Sequence, residues 1–247
     1  MENLIIGRNA VMEALAAGRT IDKLLVAKGD MQGSVKKIIA MANDLGLVIQ
    51  YVPRSKLDLM TENGPHQGVA AQVAAYKYSS MEDVFAKAEA SGEAPFVIVL
   101  DEIEDPHNLG AIIRTAECAG AHGVIISKRR AVGITSVVAK TSAGAIEHIP
   151  VVKVANIPMA IDDLKKRGLW IYGADMDGEN YHYEQNMTGP IGLVVGSEGR
   201  GVSKLVKSKC DFIVRIPLKG QVTSLNASVA SAVMIYEIVR QRDLNTK

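Results

Sequence analysis

Three short polar loops contain the residues whose types and spacing could support chemistry. The first places Asn108 and Arg114 near the start of a predicted helix. An arginine there can bind a phosphate or stabilise a developing oxyanion, because its guanidinium stays protonated and donates paired hydrogen bonds. Two structural alternatives remain open, namely an N-cap role for Asn108 and a surface ion pair between Arg114 and Glu117.

The second loop runs from Gly196 to Gly201 and follows an apolar predicted strand. Glycines at the carboxyl end of a strand allow the backbone to approach a ligand closely. Their GxxGxG spacing matches neither the dinucleotide fingerprint nor the phosphate-binding P-loop. A tight turn is the structural alternative, although Glu198 is unusual in such a turn unless its carboxylate holds a backbone group or a ligand amine.

The third loop leads from Ile216 through Ser224 and Asn226 into the final helix. A helix N-terminus presents unpaired amides that can bind a ligand, and a plain N-cap role for Asn226 is the alternative. The final helix is apolar on more than one face. This pattern predicts that a second subunit covers part of it.

The charge balance argues against a simple basic nucleic-acid binder, because 28 Lys and Arg oppose 27 Asp and Glu among 247 residues. The charges are nevertheless segregated along the chain. Residues 81–105 carry eight acids and one base, whereas residues 128–167 carry eight bases and three acids, and residues 196–247 carry nine bases and four acids. The two basic segments are either contacts to a nucleic-acid backbone or ordinary solvated faces.

The apolar pattern predicts two α/β units. After residue 95, continuous apolar strands alternate with helices, which indicates a parallel sheet with helices on both faces. Ligands bind beyond the carboxyl ends of such strands, so the loops after Leu100, Val195 and Ile216 are the candidate binding loops. We expect a small helix and strand domain over residues 1–75, a connecting helix and linker over 76–94, and the main domain over 95–247.

Several classes of protein are disfavoured. The apolar runs are far shorter than the roughly 18 residues of a membrane helix, and the N-terminus lacks a secretory signal. Two separated cysteines suit a reducing cytoplasm, where we expect the protein to reside. The histidines have no metal-ligand spacing and no Gly-x-Ser-x-Gly elbow is present, so neither a metal site nor serine hydrolysis is expected.

Taken together, the three loops resemble the signature motifs of the SpoU/TrmH branch of the SPOUT RNA methyltransferases. The resemblance covers residues 95–243 and rests on the combination Asn108-x-Gly110-x-x-x-Arg114, Gly196-x-Glu198-Gly199-x-Gly201, and Ile216-Pro217 followed by Ser224-Leu225-Asn226. Residues 1–75 resemble the small substrate-binding domain, similar to ribosomal protein L30e, of members that act on ribosomal RNA. The overall layout is most similar to members that methylate a guanosine 2′-hydroxyl in large-subunit (23S) rRNA.

This resemblance implies a trefoil knot at the C-terminal end of the sheet, with S-adenosyl-L-methionine bound in it, and a homodimer formed through the C-terminal helix. The cofactor-binding positions that it implies are Gly196, Gly201, Ile216, Leu225, Thr141 and Ala143. The catalytic positions that it implies are Arg114, Asn108, Ser224, Asn226 and Glu198. An arginine stays protonated in proteins, so we expect Arg114 to bind a phosphate and stabilise the emerging alkoxide instead of acting as the general base proposed in the family.

Three alternatives to this function remain. The substrate could be transfer RNA, or the protein could be a catalytically inactive RNA-binding assembly factor. Retention of both Asn108 and Arg114 disfavours the inactive protein. A nucleotide-dependent oxidoreductase is less favoured still, because the first strand of the main domain is not followed by GxGxxG.

Overall fold

The computed structural model describes residues 4–19, 21–29, 33–73 and 76–245, which fold into two compact units. The helices, in chain order, are α1 (Arg8–Ala16), α2 (Ser34–Asp44), α3 (Arg54–Met60), α4 (Met81–Ser91), α5 (Pro106–Cys118), α6 (Ser136–Thr141), α7 (Ile157–Lys166), α8 (Lys204–Lys207) and α9 (Ala227–Asn245). The strands are β1 (Leu4–Ile6), β2 (Ile21–Ala27), β3 (Ile49–Val52), β4 (Val69–Val73), β5 (Phe96–Leu100), β6 (Gly123–Ser127), β7 (Val151–Val154), β8 (Trp170–Ala174), β9 (Asn180–Tyr181), β10 (Ile191–Val195) and β11 (Phe212–Arg215).

The first unit combines residues 1–77 with residues 134–148. Its sheet has the order β1-β4-β2-β3, in which β2 and β3 are parallel and the other pairs antiparallel. The core lies between this sheet and helices α1 and α2, and includes Val11, Leu24 and Ile38, all fully buried. Ala139 of α6 is part of the same core, so this distant segment is built into the first unit.

Polar contacts reinforce the attachment of residues 134–148. Arg19 Nη1 lies 2.7 Å from Glu147 Oε1 in an ion pair whose side chains are only 12% and 8% exposed. His148 Nε2 lies 2.8 Å from Glu13 Oε2. The sequence analysis placed the first domain within residues 1–75, whereas the structure adds this internal segment, because its apolar face is buried against the first unit.

The second unit is built on a parallel sheet with the order β7-β6-β5-β10-β8-β11-β9 among the described residues. Every residue of β5, β6 and β10 is buried, as expected for a parallel sheet covered on both faces. Helices α4, α7 and α8 share a hydrophobic core with the sheet, and α9 packs against both α5 and β10. The predicted α/β class is confirmed.

The strand order brings the three polar loops to one edge of this sheet. Strand β10 lies between β5 and β8, with Val195 opposite both Leu100 and Ala174 at their carboxyl ends. Strand β11 pairs with the other side of β8, so the loop after Arg215 emerges at the same edge. The three candidate binding loops therefore lie at the same edge of the sheet.

Some elements differ from the sequence prediction. Strands β1 and β9 and helix α3 were not predicted, because they have only two to seven residues and too few apolar positions to show a period. Residues 76–94 are predicted to be a connecting helix and linker; α4 lies within them and packs into the second unit through the fully buried Val84. The sequence pattern predicts a last strand of the first domain over residues 68–75, of which positions 74 and 75 lie outside the described residues.

Candidate active site

The glycine loop, residues 196–201, folds back on itself directly after β10. Gly201 N donates to Ser197 O at 2.9 Å, and Gly196 approaches Gly201 so closely that a Cβ on Gly196 would overlap the Gly201 backbone. Gly201 has a φ of +66°, and a Cβ there would lie 2.7 Å from Asp175 Oδ2. Both glycines are therefore required by the geometry of the loop.

Two aspartates that end strands hold the far end of this loop. Asp175 Oδ2 accepts a hydrogen bond from Val202 N at 3.1 Å, and Asp101 Oδ2 accepts one from Ser203 N at 2.8 Å. Burial opposes ionisation of Asp175, but hydrogen bonds from Lys207 and from the amides of Asp177 and Val202 outweigh it and lower the pKa of this carboxyl. The sequence analysis did not single out these aspartates, although each directly follows a buried strand.

Glu198 connects the glycine loop to both other loops. Its Oε2 accepts a hydrogen bond from Asn226 Nδ2 at 3.1 Å and a longer one from Asn108 Nδ2 at 3.5 Å. A carboxylate that accepts from two amides on different helices fixes three chain segments relative to one another. The simple tight-turn interpretation does not account for these contacts.

The interpretation of Asn108 as an N-cap is wrong. Asp105 caps α5, since its Oδ1 accepts from His107 N at 3.0 Å, and Pro106 occupies the first helical turn. Asn108 lies inside that turn and is buried, with its amide toward Glu198. Asn226 both caps α9 and contacts the glycine loop. Its Oδ1 accepts hydrogen bonds from the Ser228 amide and hydroxyl, while its Nδ2 donates to Glu198.

Arg114 lies on the exposed side of α5, whereas Ile112, Ile113 and Ala116 of the same helix are fully buried. Within the described residues the Arg114 guanidinium makes no hydrogen bond or ion pair, so the alternative surface pair with Glu117 is not formed. An arginine without a structural partner at this position is available to a ligand.

A cavity of about 330 Å³ lies between the glycine loop and the loop of residues 216–226. The predicted site residues that line it are Gly196, Glu198, Gly201, Ile216, Ser224 and Leu225. In the part of the chain that the structure describes, the backbone groups of residues 216–225 have no protein hydrogen-bond partner. Unpaired amides and carbonyls beside a cavity with both apolar and charged lining residues can serve a ligand that carries donors and acceptors.

A second cavity, of about 210 Å³, adjoins the first and shares Ser197, Glu198, Arg200 and Ala227 with it. Asn108 lines this smaller cavity. Four other positions implied by resemblance line neither cavity. Arg114 and Asn226 belong to the second unit, and Thr141 and Ala143 belong to the first.

Comparison with protein families identifies this arrangement. Residues 95–236 match the model of the SpoU rRNA methylase family, and residues 4–79 match that of the RNA 2′-O ribose methyltransferase substrate-binding domain. The chain belongs to the SpoU rRNA methylase family. The three loops that meet at the cavity all lie within the first match, so the site described above is part of the SpoU methylase domain.

Relatives of this SpoU methylase span nearly its entire length. YacO of Bacillus subtilis, a protein of the TrmH family of tRNA/rRNA methyltransferases, is 50% identical over 97% of this chain and 96% of its own. The SpoU methyltransferase AviRb of Streptomyces viridochromogenes, solved in complex with AdoMet, shares the fold with a TM-score of 0.84 at 24% identity, covering 98% of this chain and 90% of that one. An rRNA methyltransferase of Sinorhizobium meliloti has a TM-score of 0.81 at 25% identity, covering 97% and 87% of the two chains.

Two further findings concern the described residues of this SpoU methylase. Their helices include none that is long and apolar enough to cross a bilayer. Their His, Cys, Asp and Glu side chains form no group of three that could hold a metal ion.

Proposed function

We propose that this protein transfers a methyl group from S-adenosyl-L-methionine to a ribose 2′-hydroxyl of RNA, with a guanosine of 23S rRNA as the substrate. The observation that carries the proposal is the contact of Glu198 with Asn108 and Asn226, which assembles three loops beside a ligand-sized cavity. Transfer RNA is the alternative substrate, because the family name of YacO includes both kinds of RNA.

The larger cavity fits the proposed cofactor. The backbone of residues 216–225 is free to pair with the polar edge of an adenine, and Ile216 and Leu225 provide apolar walls for its faces. Gly196 and Gly201 allow the loop that forms the opposite wall to fold tightly, because a Cβ on either would overlap neighbouring atoms. When bound, S-adenosyl-L-methionine supplies an electrophilic methyl group on a sulfonium sulfur.

The residues of the chain then have to position the ribose hydroxyl and stabilise the charge that develops on its oxygen. Arg114 is the group best suited to this task, because its guanidinium is exposed and carries no other contact. It would bind the phosphate next to the ribose and stabilise the emerging alkoxide. Ser224, which lines the larger cavity, would orient the hydroxyl, while Asn108, Asn226 and Glu198 keep the loops in register.

Ribosomal RNA is favoured as the substrate by the first unit. Residues 4–79 match a substrate-binding family model, and the rRNA methyltransferase of S. meliloti spans 97% of the chain, including that unit. Such a substrate also places the proposed reaction in the cytoplasm.

We further propose that the protein is a homodimer formed through α9. Val229, Val233 and Tyr236 are exposed along α9 at a spacing that places them in one stripe. Covering this apolar stripe with a second copy would remove it from water. Sedimentation equilibrium should give twice the chain mass, Val233→Glu should give the monomer, and Met159→Glu, at an exposed methionine of α7, should leave the dimer intact.

Mapping of 2′-O-methyl groups by mass spectrometry in RNA from a deletion strain tests the activity and the substrate together. We expect one methyl group to be lost from 23S rRNA, to return with the wild-type gene and to stay absent with Arg114→Ala. Loss of a methyl group from tRNA alone would support the alternative substrate. Unchanged methylation of both RNAs would contradict the proposed function.

A further inference from the structure

Two arginines from separate loops converge on one carboxylate beside the candidate active site. Glu102 follows β5, Arg130 lies in the loop after β6, and Arg200 lies in the glycine loop. Arg130 Nη1 donates to Glu102 Oε1 at 3.1 Å, and Arg200 Nη1 lies 3.9 Å from Glu102 Oε2. The trio carries a net positive charge, since two guanidiniums share a single carboxylate.

Stability does not account for this arrangement. The side chains of Arg130 and Arg200 are 73% and 82% exposed, and exposed ion pairs contribute little to folding. Glu102 and Arg130 also adopt left-handed backbone conformations, with φ of 58° and 51°, which are unfavourable for residues other than glycine. Strained conformations persist mainly where function requires them.

The surrounding contacts hold the trio at the edge of the site. Val132 N donates to Ile103 O at 2.9 Å, which ties the Arg130 loop to the Glu102 segment. Glu102 and Arg200 line the smaller cavity, together with Asn108 and Glu198. A ligand group bound by these arginines would therefore lie beside the smaller cavity, which Arg200 lines and Arg130 does not.

The chemistry of the trio suits an oxyanion with several acceptor oxygens. A guanidinium has five N–H donors, and the described contacts use only one of those on Arg130. Two guanidiniums held about one carboxylate can each donate to different oxygens of a phosphate. We propose that Arg130 and Arg200 together bind an RNA phosphate adjacent to the target ribose, and that Glu102 is a positioning residue for both guanidiniums. This inference rests on the proposed function, because it assumes that RNA enters the site.

Salt-dependent RNA binding tests the phosphate site. The variants Arg130→Gln and Arg200→Gln are compared with Arg167→Gln, a matched control in which the arginine contacts Glu82 and Asp163 and lines neither cavity. The dissociation constant of in vitro transcribed 23S rRNA is measured over a range of KCl concentrations. The logarithm of the association constant falls linearly with the logarithm of the salt concentration. Each site variant should reduce the magnitude of this slope by about 0.7 to 0.9, the value for one phosphate contact. The control variant should leave the slope unchanged.

A shared phosphate predicts coupling between the two arginines. The salt dependence of RNA binding by the double variant should be only slightly weaker than that of either single variant. Arg130→Gln, at a residue that lines neither cavity, should leave the affinity for S-adenosyl-L-methionine unchanged when it is measured by calorimetry. Unchanged slopes or fully additive losses would overturn the proposal. So would weaker cofactor binding by Arg200→Gln with a normal RNA slope, because the arginine would then bind the cofactor carboxylate.

The positioning role of Glu102 has its own test. Glu102→Ala should raise the KM for RNA more than it lowers kcat, and in this background Arg130→Gln should have less effect on RNA affinity than in the wild type. Glu102→Gln, which keeps the shape of the side chain, is the second variant should the first fail to fold. Additive effects of Glu102→Ala and Arg130→Gln on RNA affinity would refute the positioning role of Glu102.

Methyl transfer by the wild type is assayed on the same RNA. Binding without transfer would refute the proposed function and leave the phosphate site intact.

Discussion

Asn226 Nδ2 donates a hydrogen bond to Glu198 Oε2 at 3.1 Å and so joins the glycine loop to the start of α9. The orientation of the amide is fixed, because Asn226 Oδ1 accepts hydrogen bonds from the Ser228 amide at 3.0 Å and hydroxyl at 2.6 Å. The first turn of α9 therefore determines that a donor, and not an acceptor, faces the carboxylate.

Asn226→Asp should damage this junction, because it replaces the donor with a second carboxylate while keeping an acceptor for the helix cap. We expect a loss of about 1–3 kcal/mol in the free energy of unfolding and at least a tenfold loss of methyl transfer. Asn226→Ser, which retains a cap without the second charge, should be milder in both respects. Chemical denaturation and single-turnover methylation measure these effects. Equal losses of stability and activity in the two variants would argue against repulsion between the introduced carboxylate and Glu198.

Arg114→Ala should reduce methyl transfer by about a hundredfold or more, the typical cost of removing a donor that stabilises a developing oxyanion. The midpoint of thermal unfolding and the affinity for S-adenosyl-L-methionine should stay near wild-type values, since Arg114 is exposed and has no partner among the described residues. Arg114→Lys should be intermediate, because it keeps the charge but not the forked donors. Near-normal transfer by Arg114→Ala would remove Arg114 from the mechanism.

Gly196→Ala should destabilise the protein by about 1–3 kcal/mol, the usual cost of forcing extra atoms into a packed region. The added methyl would overlap the Gly201 backbone, so the loop would have to open and cofactor affinity should fall. Gly220→Ala is the matched control, because a Cβ there meets nothing within 4 Å. Calorimetric titration with S-adenosyl-L-methionine and thermal unfolding provide the measurements, and similar results for both variants would contradict the described loop.

The two cysteines should differ in reactivity. Burial, aided by the charge of Asp211, raises the pKa of the Cys210 thiol to about 12, and its Sγ donates to Val206 O at 3.4 Å. Cys118 is exposed. A thiol reagent at pH 7.5 should therefore modify one cysteine rapidly in the native protein and two after denaturation. Cys118→Ser should abolish the rapid reaction, whereas Cys210→Ser should leave it unchanged. Rapid modification of both cysteines in the native protein would contradict the burial of the Cys210 thiol.

Stability should fall below neutral pH because of His122. Burial, with a contribution from Arg242, lowers the pKa of this imidazole from the ordinary 6.5, and Phe96 N donates to its Nδ1 at 2.9 Å. The neutral form is thus favoured in the folded state, and as the pH drops through 6.5 the unfolded chain takes up a proton that the folded chain resists.

Urea denaturation between pH 5 and 8 measures this effect. His122→Gln should be less stable at pH 8 but should show a shallower decline toward pH 5 than the wild type. His107→Gln, at an exposed histidine, should retain the wild-type decline. Parallel curves for His122→Gln and the wild type would contradict this origin of the pH dependence.

The elements that were best predicted from the sequence are those marked by continuous runs of apolar residues. The strands Phe96–Leu100 and Ile191–Val195 were readily predicted because every residue is buried in a parallel sheet. The contact between Glu198 and Asn108 could not be predicted from spacing, because the two residues are 90 positions apart in the sequence. The pairing of β10 with β5 brings them together. An N-cap role for Asn108 remained open in the sequence because Asp105 and Asn108 can both accept from a helix N-terminus. Pro106 at the first helical position is the signal that favours Asp105.

The inclusion of residues 134–148 in the first unit has a consequence for synthesis of the protein. Ala139 cannot reach its place beside Val11 until the chain has been translated past the first two strands of the second sheet. An early folding step at the ribosome would leave that part of the core open, and it would close only after His148 has emerged. A nascent chain halted before residue 134 should accordingly be cut within residues 1–77 by added protease, whereas one halted well beyond residue 148 should resist.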